Sequence, residues 1–228
     1  MEFLLNGYTT YILVLIALVF SLYASFNVNS TFKKYSNVYS SRGHTAAQIA
    51  RQILDSNGLY DIDIVHVNGN LTDHYDPKRK IIALSSTVYE STSVGAIGVA
   101  AHEVGHAIQY AKGYIPIKIR MLILPVAQFG SRIWIFLFIL GLLFSLPLLR
   151  DIGIILFAAI VLFQLITLPV EFNASNRAIK TIESQGILYG EEVKGARKTL
   201  NAAAMTYVAA LAVSITQLLR LISTTRRR

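Results

Sequence analysis

The chain has 228 residues, of which 54% are hydrophobic and 15% are charged, and its mean hydropathy is +0.50. Soluble domains carry about 25% charged residues, so this composition excludes an ordinary soluble protein and predicts an integral membrane protein with a modest soluble part. The absence of cysteine excludes a disulfide framework and any cysteine-ligated zinc site. The net charge of +8 is typical of basic residues that flank membrane spans, and since no nucleic-acid-binding motif is visible we expect no nucleic-acid partner.

The first predicted element is an apolar segment from about Tyr8 to Val28, which contains no charged residue. No Lys or Arg precedes it, whereas a cleavable signal peptide normally begins with a basic stretch. We therefore predict an uncleaved transmembrane helix in the lipid bilayer and assign residues 1–28 to it.

Residues 29–130 form the soluble-looking part. An amphipathic helix is predicted after Thr45, which is a suitable N-cap, and Gly58 is a suitable stop. Short strands are predicted near 61–68, 71–75 and 81–85, with a turn at Asn68-Gly69 between the first two. A serine or threonine at positions 91–93 is expected to cap the helix that follows.

That next helix carries His102-Glu103-Val104-Gly105-His106, the H-E-x-x-H pattern of zinc metallopeptidases. Two histidines four residues apart lie on one face of a helix, so their imidazoles can bind one metal ion. Glu103 then lies beside the metal, where it can accept a proton from a bound water. The alternative is a helix that merely contains three polar residues, but its small apolar neighbours predict burial, which is costly for unpartnered polar groups.

The second hydrophobic region is assigned to residues 131–170 and read as a transmembrane helical hairpin. Ile133–Leu149 and Ile152–Val170 are uncharged, and Arg150-Asp151 between them is expected to form the charged tip at the far membrane face. Residues 171–228 contain a last apolar segment, Ala202–Ile222, which either spans the membrane or packs against the other helices. The sequence therefore predicts three or four spans.

A catalytic zinc usually has three protein ligands, and the motif supplies two. Glu171 is the best candidate for the third, because it follows Pro169-Val170 at the point where a transmembrane helix emerges among apolar neighbours. The alternative is an ordinary interfacial carboxylate, for instance one paired with Arg177.

Four stretches of the chain together resemble the YugP-type zinc-dependent membrane proteases, a neutral zinc metallopeptidase family. They are Asp73–Pro77, Ile82–Ser85, the run from Ser93 to Gln109, and Leu168–Ser175, and the order of the hydrophobic segments agrees as well. The chain more distantly resembles the HtpX and CAAX prenyl protease group, in which a glutamate on a later helix completes the zinc site. The resemblance implies that Glu171 is the third ligand. The family often has an acid two residues after this glutamate, where this chain has Asn173.

We therefore expect a mainly α-helical integral membrane protein with a small α+β zincin-like element that carries the motif helix. It is expected to bind one Zn²⁺ per chain through His102, His106 and Glu171, and to hydrolyse peptide bonds of peptide or membrane-protein substrates with Glu103 as general base. His74 and Tyr75 precede a turn and could contact substrate or a developing oxyanion; the alternative is an exposed loop histidine and a packed tyrosine. The competing function is a non-catalytic membrane scaffold with a structural zinc site.

The expected location is the cell membrane, with the active site facing the cytoplasm. Lys33 and Lys34 follow the first span, and three further basic residues precede the second hydrophobic region, namely Lys118, Arg120 and Arg132. Basic residues favour the cytoplasmic side. The basic tail, residues 226–228, opposes this orientation if Ala202–Ile222 spans the membrane.

Overall fold

The computed structural model describes residues 7–226, which form six helices and three short strands. In chain order these are α1 Gly7–Tyr35, α2 Ala46–Ser56, β1 Asp63–Val67, β2 His74–Asp76, β3 Ile81–Ser85, α3 Val94–Ala111, α4 Ile115–Leu143, α5 Pro147–Ser184 and α6 Glu191–Arg226. Arg227 and Arg228 of the basic tail lie outside the described residues.

Four of the described helices are long and apolar enough to cross a membrane: α1, α4, α5 and α6. Large apolar side chains point outward from them, for example Leu22 (72% exposed), Leu122 (78%) and Ile155 (66%). Such continuous apolar surface is unfavourable in water and is typical of helices that face lipid. The predicted class, a mainly helical integral membrane protein with a small α+β element, is confirmed.

By its internal contacts the chain divides into two compact units, and the first contains residues 7–25, 116–169 and 206–226. In this unit α4 and α5 form the predicted hairpin, but its turn lies at residues 144–146 and not at Arg150-Asp151. Pro147 begins α5, since its fixed φ and missing N–H suit the first position of a helix, and Ser145 adopts a left-handed conformation (φ 53°) in the turn. Arg150 and Asp151 are therefore paired within the start of α5.

The second unit contains residues 26–115 and 170–205. Its sheet has the order β1-β3-β2, with β1 parallel and β2 antiparallel to β3. All five residues of β3 are buried, as expected for a central strand that is covered on both faces. The strand β2 is left at an edge of the sheet.

Helix α2 packs its predicted apolar face into the core of this unit. Thr45 and Gln48 form a reciprocal capping box that satisfies backbone N–H groups at the start of the helix. The buried residues are those that helical periodicity selects: Ala46, Ile49, Ala50, Ile53 and Leu54. Helix α3, capped by Ser93, is apolar around most of its circumference and is correspondingly buried in the same core.

Replacing Leu54 with alanine tests the importance of this core. Leu54 is completely buried, so the substitution removes apolar contacts and leaves a cavity. We expect a loss of about 2–5 kcal/mol in unfolding free energy, measured by chemical denaturation of the detergent-solubilised protein. Gln52→Ala on the exposed face of α2 is the matched control and should change stability by less than about 0.5 kcal/mol. Equal stabilities for the two variants would contradict the packing described.

Candidate metal centre

Two imidazoles from α3 and one carboxylate from α5 meet inside the second unit. His102 Nε2 lies 3.3 Å from Glu171 Oε2, and His106 Nε2 lies 3.6 Å from the same oxygen. The two imidazole rings stand nearly perpendicular, with centroids 4.7 Å apart. His106 and Glu171 are buried, and His102 is half-buried. All three ligand atoms lie within 4.8 Å of one another, so the cluster could hold one metal ion.

The distances from Glu171 to the two histidines fit those expected in a tetrahedral zinc site. Zinc bonds to nitrogen and oxygen are about 2.0–2.2 Å long, so two donors at a tetrahedral angle lie about 3.3–3.5 Å apart. A direct charge-assisted hydrogen bond between histidine and carboxylate would bring the atoms to about 2.7–2.9 Å. The observed separations of 3.3 and 3.6 Å match the first geometry better than the second. Two imidazoles and one carboxylate are also donors that zinc commonly takes. The site therefore fits one Zn²⁺.

The Nδ1 atom of each histidine, which is not the nitrogen that faces Glu171, has its own hydrogen-bond partner. His106 Nδ1 lies 3.0 Å from Gln109 Oε1, and His102 Nδ1 lies 3.1 Å from Ser175 Oγ. Such outer contacts orient the imidazole rings and are typical of histidines that bind a metal through the other nitrogen. Here they leave both Nε2 atoms facing Glu171.

Glu103 lies between the two histidines in sequence and is 8% exposed. Burial is the largest influence on its carboxyl group and raises the pKa of Glu103, the nearby Glu171 raises it further, and His102 and His106 oppose the shift. A raised proton affinity is what a carboxylate needs in order to take a proton from water at neutral pH.

Gly105 allows α3 and α5 to approach closely. A Cβ atom at this position would lie 2.7 Å from the backbone oxygen of Ala174, well inside van der Waals contact. Ala174 lies between Glu171 and Ser175 on α5, and Gly105 directly precedes His106. Because only glycine fits at this helix crossing, the position brings His102 and His106 of α3 within reach of Glu171 of α5.

His74 and Tyr75 lie on the edge strand β2, outside the cluster of three ligands. The imidazole of His74 is exposed and bonds through Nδ1 to the carbonyl of Thr72 at 2.9 Å. Tyr75 is half-buried and packs edge-on against Tyr110, with ring centroids 5.6 Å apart. Burial raises the pKa of the Tyr75 hydroxyl, and Tyr110 raises it further. Their suggested contact with substrate stays a prediction.

Gln109 and Asn173 were not singled out from the sequence as parts of the site, and Arg177 was considered only as a possible partner of Glu171. Gln109 Nε2 donates to the carbonyl of Val170 at 2.8 Å and to Asn173 Oδ1 at 3.0 Å, and Arg177 Nε donates to the same oxygen at 2.7 Å. Asn173 had appeared only as a departure from the resembled family, yet it takes part in this network. Sequence offers one signal, since Gln109 lies three residues, about one helical turn, after His106.

Substituting alanine for Gly105 tests the helix crossing. The added methyl group would press on backbone atoms, so we expect a loss of about 1–3 kcal/mol in stability together with weaker zinc binding, as α3 and α5 separate. Gly98→Ala on the same helix is the control, since its Cβ would make an ordinary 3.4 Å contact with the side chain of Ala196. Zinc titration and denaturation of both variants provide the measurement. Unchanged zinc affinity in Gly105→Ala would show that the close approach does not position the ligands.

Comparison with known proteins agrees with this geometry. The model of a family described as "Putative neutral zinc metallopeptidase" matches residues 10–226. A protein of Bacillus subtilis (strain 168) named "Putative membrane protease YugP" is 51% identical over 210 residues, which cover 92% of this chain and 93% of that protein. No solved structure matches the chain. Since the matches extend over nearly the whole sequence, the chain belongs to the neutral zinc metallopeptidase family.

Proposed function

We propose that this protein is a membrane-embedded zinc endopeptidase of the gluzincin type, in which His102, His106 and Glu171 hold the metal and Glu103 is the general base. The observation that carries the proposal is the convergence of three donors, with Glu171 Oε2 at 3.3 and 3.6 Å from the two imidazole nitrogens and a buried acid next in sequence to the first histidine. The family supports a protease, and the relative from Bacillus subtilis is named a membrane protease.

The reaction proposed is hydrolysis of a peptide bond by water. Zinc, when bound, supplies a Lewis acid that makes water easier to deprotonate and polarises the substrate carbonyl. The carboxylate of Glu103 accepts a proton as the water oxygen bonds to the carbonyl carbon. The same carboxyl group then delivers the proton to the departing nitrogen as the carbon–nitrogen bond breaks. No serine or cysteine nucleophile is required.

Two features favour an enzyme over a scaffold with a structural zinc site. Structural zinc sites are usually closed by four protein ligands, whereas the cluster found within residues 7–226 has three donors and so leaves a position for water. A structural site also has no use for Glu103, because a buried carboxylate that does not ligate the metal only adds a desolvation cost.

The edge strand β2 is the proposed docking element for the substrate backbone. Its outer edge can pair with an extended peptide, as in other cases of recognition by strand addition. His74 and Tyr75 on this strand are the proposed polar contacts to substrate or oxyanion.

Substituting the proposed base and each proposed ligand one at a time tests the mechanism. Glu103→Gln should retain zinc and lower peptide turnover by at least about 100-fold, because it removes the proton acceptor and leaves the donors in place. His102→Ala, His106→Ala and Glu171→Ala should each lose zinc and activity together. Metal analysis and peptide-library cleavage with the purified detergent-solubilised protein provide both measurements.

The control for the third ligand is Glu183→Ala on the same helix. Glu183 pairs with Arg197 at 2.8 Å and takes no part in the ligand cluster, so zinc content and turnover should be unchanged. Wild-type turnover in Glu103→Gln would rule out the proposed base. Full zinc occupancy in Glu171→Ala would rule out the third ligand.

We propose that the active site faces the cytoplasm. Lys33 and Lys34 lie at the end of α1, and Lys118 and Arg120 lie in the first turns of α4. Arg132, expected from the sequence to precede the span, instead lies midway along α4 and does not flank it. The opposite end of the hairpin offers only Arg150, beside Asp151. This asymmetry favours the cytoplasm for the polar end of these helices. The basic end of α6, which is also long enough to span, opposes this orientation, but the first span usually dominates.

Single cysteines in this cysteine-free chain test the orientation. Tyr60 is 72% exposed in the second unit, and the side chain of Asp151 is 52% exposed at the start of α5. An impermeant thiol reagent added to intact cells should label Asp151→Cys and leave Tyr60→Cys unlabelled until the cells are opened. Labelling of Tyr60→Cys in intact cells, with protection of Asp151→Cys, would reverse the assignment.

A further inference from the structure

We infer that Gln109, Asn173 and Arg177 are positioning residues that fix His106 in the tautomer with a proton on Nδ1 and a free lone pair on Nε2. The inference deepens the proposed function, on which it rests for the role of His106 as a ligand. The tautomer is determined by the direction of each hydrogen bond in a series that runs from α5 to α3.

The series of hydrogen bonds begins at Arg177, whose guanidinium can only donate. Its Nε lies 2.7 Å from the side-chain oxygen of Asn173. An amide can present either oxygen or nitrogen to a neighbour, but only the oxygen can accept from Arg177. Arg177 therefore determines which way the amide of Asn173 faces.

The next link is Gln109, which is fully buried. Its Nε2 lies 3.0 Å from Asn173 Oδ1 and 2.8 Å from the backbone oxygen of Val170. Both neighbours are acceptors, so both hydrogens of the Gln109 amide are used on this side. Reversing the amide would bring oxygen against two oxygens in a buried place, which is costly.

The last link is His106. Because the nitrogen of the Gln109 amide faces α5, its oxygen Oε1 faces His106 Nδ1 at 3.0 Å. That oxygen is an acceptor, so Nδ1 must carry the proton. The lone pair of the neutral ring is then on Nε2, which faces Glu171 at 3.6 Å. The orientation set by Arg177 is thus transmitted to the ligand atom of His106.

The same links tie the two ligand-bearing helices together. Gln109 belongs to α3, whereas Val170 and Asn173 flank Glu171 on α5. Loss of the network should therefore weaken zinc binding by freeing the His106 ring and by loosening the register between α3 and α5. Substitution of outer contacts of this kind typically costs about 10–100-fold in metal affinity.

Zinc affinity of the metal-stripped full-length protein in detergent tests the inference, measured by competition with a chelator. Asn173→Leu should weaken zinc binding by about 10–100-fold, because it removes the acceptor that orients Gln109. Asn173→Asp should restore affinity to near the wild-type value, because a carboxylate oxygen accepts from Arg177 and Gln109 in the same way. Rescue by the aspartate variant distinguishes positioning from mere packing.

Two further measurements complete the test. Gln109→Leu should alter the visible spectrum of the cobalt-substituted protein, since His106 can then rotate, while Gln52→Leu on the exposed face of α2 should leave spectrum and zinc affinity unchanged. Asn173 is only half-buried, so its variants remain informative if Gln109→Leu fails to fold. Wild-type zinc affinity in Asn173→Leu, or equal losses in the leucine and aspartate variants, would overturn the inference.

These outcomes are separable from failure of the proposed function. If the wild-type protein binds no zinc, the metal centre itself is wrong. If it binds zinc and cleaves peptides while Asn173→Leu binds zinc normally, only the positioning role is wrong.

Discussion

The close crossing of α3 and α5 is the constraint on which the metal centre depends. The three donors come from two helices, and they meet because Gly105 lets the backbone of α3 approach Ala174 on α5. Burying two imidazoles and a carboxylate is unfavourable unless they have partners. The apolar core surrounds α3, and the convergence of the two imidazoles on the carboxylate supplies these polar groups with partners.

Helix α5 is one continuous helix that has both a membrane-spanning part and a part that carries site residues. Its first part is apolar enough to cross a membrane, and its later part carries Glu171, Asn173, Ser175 and Arg177. Glu171 belongs to the candidate metal centre, Asn173 and Ser175 contact Gln109 and His102 of α3, and Arg177 donates to Asn173. One helix therefore contains both an apolar segment long enough to cross a membrane and the polar residues of the candidate site.

Local features of this fold were predictable, and contacts distant in sequence were not. The buried face of α2 follows from helical periodicity, and the capping box at Thr45 from side chains three residues apart. The sequence-based prediction placed the hairpin turn at the charged pair Arg150-Asp151, whereas Pro147 and the left-handed Ser145 determine where α5 begins.

The hydrogen bond from Gln109 to Asn173 joins residues 64 positions apart, and neither residue has a periodic signal that would pair them. Glu171 was found as a possible ligand because an acid is conspicuous among apolar neighbours, while an amide is not.

The two histidines of the centre are constrained unequally. The partner of His106 is an amide whose direction is set by acceptors on α5, so the proton on Nδ1 is determined by the fold. The partner of His102 is the hydroxyl of Ser175, which can rotate to donate or to accept. Ser175 therefore holds the His102 ring in place but leaves its tautomer open. A metal ion would have to select the tautomer of His102 on binding, whereas it would find His106 already in the form that can bind it.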